Sequence, residues 1–70
     1  MKFNNKLFAL NLIESMQQQG KTMLDVVEEA NVSYTDILEI LNSGTPDLVV
    51  FGRLCFWMGI EDKMSDFYEA

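Results

Sequence analysis

Seventy residues, 49% of them apolar and 23% charged, make one small folding unit and exclude a second domain or a large multi-step enzyme. Eleven acids against five bases give a net charge of −6, the opposite of the basic balance typical of nucleic-acid binders. Cys55 is the only cysteine and there is no histidine, which excludes an internal disulfide, a thiolate zinc set and the usual His-dependent acid-base and nucleophilic arrangements.

The opening residues Met1-Lys2-Phe3, followed by Asn4, Asn5 and Lys6, contain no apolar leader segment. No apolar run approaches the ~20 residues of a membrane span. A cytoplasmic, unprocessed protein without membrane contact is expected. From Asn5 to Gln19, Leu7, Leu10, Ile13 and Met16 recur every third residue, with Ala9 and Leu12 widening the stripe, which predicts a first helix that ends at Gly20. Thr22 with Asp25 three residues on is a variant capping box and starts a second helix, Met23 to about Ala30. Asn31 then suits a left-handed turn. Ser33 with Asp36 repeats the capping pattern, and Ile37, Ile40 and Leu41 follow at helical spacing to form a third helix.

The turn formers Asn42-Ser43-Gly44-Thr45 come next. With Thr45 as cap and Pro46 at the first helical position, a fourth helix is expected to carry Leu48, Phe51, Leu54, Cys55 and Met58 inward until Gly59. Met64, Phe67 and Tyr68 predict a short fifth helix within Glu61 to Tyr68. The expected fold is an all-α bundle of four or five short helices.

The turn Asn31-Val32-Ser33 between two short helices, then Gly44 and a helix running from Pro46-Asp47-Leu48 through Phe51 and Arg53-Leu54-Cys55 to Trp57-Met58-Gly59-Ile60, resembles the Cro/repressor (XRE, lambda-repressor-like) helix-turn-helix family. The resemblance spans Gly20 to Ile60, with the helix-turn-helix at about residues 22–42. It implies that family's five-helix fold and operator binding to double-stranded DNA as a homodimer, with the third helix in the major groove. On this alignment the base-facing positions fall on Tyr34, Thr35 and Glu39, and the backbone-facing positions on Lys21, Thr22, Ser33, Asn42 and Arg53. Thr35 suits a thymine methyl or any base edge, and Glu39 a cytosine amino group.

The chain also departs from the family pattern. Met23 stands where a phosphate-contacting Gln is usual, Val27 replaces a packing Ala, and Asn31 replaces a turn Gly. Asp36 and Glu39 occupy positions that often hold Arg or Lys. From Lys21 to Asn42 there are five acids and one base, a local charge of −4, in a region that the resemblance sets against phosphate. Two readings follow: a small transcriptional regulator of a kind suited to a mobile element such as a phage, or an acidic interaction module. The module would be an antirepressor, a DNA mimic or an inhibitor of a basic DNA-binding partner.

Sharper alternatives have plainer counterparts. Phe51, Phe56, Trp57 and Met58 read as core rather than a stacking platform, and Cys55 as a small buried hydrophobe. Glu61, Asp62 and Asp66 lack a calcium-loop spacing, so no metal or other cofactor is expected. Phe3, Phe8, Phe67 and Tyr68 are the expected dimer contacts, since a chain of this length buries only about 60% of its unfolded surface.

Overall fold

Asn4 begins the helical part of the chain: its side-chain oxygen accepts from the Leu7 N–H at 3.1 Å, satisfying one amide that the first helical turn cannot. In the computed structural model, which describes residues 2–69, α1 (Asn5–Gln19) follows this cap and stops at Gly20, whose φ of 64° is the left-handed conformation glycine adopts without strain. α2 (Met23–Ala30), α3 (Tyr34–Leu41) and α4 (Leu48–Met58) follow, then a 3-10 helix over Glu61–Phe67. The chain is an all-α bundle. Among the described residues the only strands are β1 (Lys2–Phe3) and β2 (Tyr68–Glu69), which pair antiparallel with Lys2 opposite Glu69 and Phe3 opposite Tyr68.

The core is built from every helix. Phe8, Ala9 and Leu12 come from α1, Val26 and Ala30 from α2, and Ile37 and Ile40 from α3; α4 adds Val50, Phe51, Leu54 and Cys55, and Val32 and Phe67 close it. No side-chain polar group is buried without a partner among the described residues. Phe8, Phe51 and Phe67 contact one another edge to face at centroid distances of 5.1–5.9 Å, and Phe3 and Tyr68 extend this cluster toward the strand pair. Each such pair adds about 0.5–1.5 kcal/mol beyond the area it buries.

Four expectations are corrected by this packing. The inward face of α1 is the Phe8, Ala9 and Leu12 side, while Leu7, Leu10 and Ile13 are exposed. Residues three apart fall short of a full turn by about 60°, so a row at that spacing winds off the core and only its end, Met16, packs against it. α4 starts two residues later than expected, because the Asp47 carboxylate and not Thr45 is the cap, accepting from the Val50 N–H at 2.9 Å. Pro46 therefore precedes the cap, and Thr45 instead donates its hydroxyl to Asn5 Oδ1 at 2.9 Å. Leu48 and Phe56 face solvent, and Trp57 is half-buried. Phe8 and Phe67, expected at a dimer contact, are 0% and 3% exposed; the aromatic cluster of one chain consumes both. Phe3 is half-buried in the same cluster, and of the four only Tyr68 is exposed, on β2 rather than a helix.

Candidate nucleic-acid interface

α2 and α3 each begin at a reciprocal cap, and a left-handed residue joins them. The Thr22 hydroxyl accepts from the Asp25 N–H at 3.3 Å, and Asp25 Oδ2 accepts from the Thr22 N–H at 2.8 Å. Eleven residues on, the Ser33 hydroxyl accepts from the Asp36 N–H and Asp36 Oδ2 from the Ser33 N–H, both at 3.1 Å. Asn31, at φ 57° and ψ 51°, reverses the chain between them, and Val32 is buried behind it. Ile37 and Ile40 fasten the inner side of α3 to the core, which leaves Tyr34, Thr35, Leu38 and Glu39 exposed.

The three base-facing candidates, Tyr34, Thr35 and Glu39, are thus brought together on the outward side of α3. The backbone-facing candidates divide differently. Thr22 and Ser33 use their hydroxyls in the capping boxes. Lys21 Nζ lies 2.8 Å from Glu29 Oε2, and Arg53 Nη1 donates to the Asn31 carbonyl oxygen at 2.7 Å. Asn42 is exposed at the end of α3. The two nearest cations are therefore engaged within the chain, and Arg53 satisfies a carbonyl at the C-terminal end of α2.

The acids of this region are largely occupied as well. Asp25 and Asp36 turn back onto their own caps, and the backbone N–H of Thr22, then its hydroxyl, hold the Asp25 carboxyl below its ordinary range. The hydrogen bond from Lys21, then that from Trp57 Nε1 at 3.0 Å, lowers Glu29 in the same direction, and Glu29 in turn raises Lys21 above the usual lysine value. Of the five acids between Thr22 and Asn42, Glu28 and Glu39 remain exposed, their carboxylates bonded to no other described residue.

Sequence reasoning missed Leu24 and Leu38, both exposed on α2 and α3. An apolar residue at helical spacing reads the same whether it faces the core or solvent, so no local signal distinguishes them. Met23 is half-buried and lines an open cleft of about 360 Å³ with Ile13, Met16 and Leu41. Cys55 is buried, and burial, helped by the charge of Glu61, pushes its thiol up to about 11, so it is no nucleophile. Among the described residues no group of acids and cysteine could hold a metal, and no helix is long and apolar enough to cross a membrane.

Fold and site together define a small all-α bundle that presents a capped two-helix unit joined by a tight left-handed turn. No family model, curated protein or solved structure matches the chain.

Proposed function

We propose that this protein is a small helix-turn-helix regulator that binds operator DNA as a homodimer, with α3 in the major groove and α2 across the phosphates. The observation that carries the reading is the outward side of α3: Tyr34, Thr35 and Glu39 are exposed together while Ile37 and Ile40 anchor the opposite side. The internal use of Asp25, Asp36 and Glu29 supports it, because it removes three carboxylates from direct opposition to phosphate.

Affinity for random duplex is expected to be low. With Lys21 and Arg53 engaged, two or three cations at most reach the backbone, which gives a log–log salt slope of about −2 to −3. Selection from a random duplex pool, followed by anisotropy titrations across a salt series, tests this. A selected site bound with that slope supports the regulator. Thr35→Ala should then change the preferred duplex, and Glu39→Lys should raise affinity for all duplexes and steepen the slope by about one.

A second reading, the acidic interaction module, is favoured by one specific observation. The outer sides of α2 and α3 expose Leu24, Tyr34 and Leu38 with Glu28 and Glu39, and neither helix contains a lysine or arginine. Apolar anchors ringed by acids suit a basic protein surface. If no duplex is selected and a basic helix-turn-helix protein is bound instead, with Glu39→Lys abolishing capture, this reading replaces the first.

A further inference from the structure

We infer that the outer face of α4 is the pairing surface for a second copy of this chain, the two α4 helices crossing antiparallel over Gly52. α4 leaves Leu48, Val49 and Phe56 at 72%, 61% and 71% exposure while its other side fills the core. Leu48, Gly52 and Phe56 succeed one another at four-residue steps, and Val49 lies two turns before Phe56, so all four share the outward side.

Gly52 indicates that something approaches from outside. A Cβ added there meets nothing within 4 Å in the chain, and no positive φ requires glycine. Glycine in a helix interior is destabilising relative to alanine, so nothing within one chain accounts for it. A neighbouring helix backbone seated at that position does.

Symmetry and charge select a second copy as that neighbour. Leu48 lies four residues before Gly52 and Phe56 four after it. A twofold axis at Gly52 therefore sets Phe56 of each copy against Leu48 and Val49 of the other, the self-complementarity that an isologous interface requires. The chain has eleven acids, yet none lies within Leu48–Met58, so two copies of net charge −6 meet there without opposed α4 carboxylates. Arg53, at the edge of the face, is held by the Asn31 carbonyl, and Asp47 by the Val50 amide. A pairing carried by three exposed apolar side chains, Leu48, Val49 and Phe56, is expected to be reversible and to depend on concentration.

This deepens the dimer part of the functional reading and takes nothing from the DNA part, because pairing is read with no duplex present. Sedimentation equilibrium of the full chain from ~1 µM to ~1 mM should show the mass rising from 8.0 kDa toward twice that value. Phe56→Glu and Gly52→Gln should each raise the dissociation constant roughly tenfold or more, with helical circular dichroism unchanged because neither side chain enters the core. Gly52→Cys, placed on the symmetry axis, should oxidise to a covalent dimer, whereas Gln18→Cys on exposed α1 should not. A chain that stays monomeric throughout, or a dimer that survives both substitutions, overturns the assignment. A monomer that still binds a selected duplex would leave the DNA reading standing and remove this one alone.

Discussion

Trp57 on α4 donates its indole N–H to Glu29 Oε1 on α2 at 3.0 Å, and the other oxygen of the same carboxylate takes Lys21 Nζ at 2.8 Å. One carboxylate thereby joins the start of α2, its last turn and α4. Protonating Glu29 removes the negative charge from the acceptor of the only tryptophan and weakens that bond. Because Glu29 is held below its ordinary value, Trp57 emission should titrate with a midpoint under 4.5. The stability contributed by Glu29 and Asp25 is present above the ordinary carboxylate range and is lost as pH falls through their depressed values. Glu29→Gln should abolish the fluorescence transition; an unchanged titration in that variant would assign it to another group.

At the alkaline end the sign reverses. Cys55 is raised from 9.0 to about 11, so the unfolded chain loses that proton before the folded one does. Its contribution is complete below pH 9 and declines as pH rises toward 11. Lys21, raised above 10.5, adds to the loss at the upper end of the same window. Urea melts at pH 8, 9.5 and 10.5 should show a falling midpoint in the wild type and a flatter profile in Cys55→Ala. A thiol reagent should leave the folded chain unlabelled at pH 8.

Gly44 is required by a close approach rather than by its backbone angles. Its N–H donates to the Glu39 carbonyl at 2.7 Å, and a Cβ there would lie 2.8 Å from that same oxygen. A backbone carbonyl at the end of α3 cannot swing aside as a flexible side chain would. Gly44→Ala should therefore destabilise by about 1–3 kcal/mol, which thermal melts read as a drop of several degrees. Gly52→Ala, with open space around its Cβ, should not lower the melting temperature.

Phe8→Ala and Phe67→Ala should each unfold the chain or nearly so. Both residues lie inside one aromatic cluster, and truncating a core Phe costs about 3–5 kcal/mol. Seventy residues are worth only about 4–10 kcal/mol in total. Helical circular dichroism at 25 °C should fall in both variants; a folded monomer in either would place that ring outside the core.

Local features were the legible ones. Thr22 with Asp25, Ser33 with Asp36, the left-handed Gly20, Asn31 and Gly59, and the bounds of α2 all follow from short-range chemistry. What depends on how helices meet was not legible. α1 has apolar rows at both three- and four-residue steps, and α4 is apolar nearly all round, so the buried side of each is decided by its neighbours. The pairings of Lys21 with Glu29 and Arg53 with Asn31 likewise depend on tertiary placement. For the candidate site, Tyr34, Thr35 and Glu39 came from the family resemblance alone, and the structure adds that all three are exposed on α3. The internal use of the flanking charges was not legible.

The Lys2–Phe3 and Tyr68–Glu69 strands, joined also by the Asn4 N–H donating to the Phe67 carbonyl at 2.6 Å, bring residues 2 and 69 side by side. A few flexible residues would therefore suffice to ring-close this stretch. New ends could then be opened at an exposed connection such as Gly20, giving a circular permutant with the same bundle and a different order of helices along the chain.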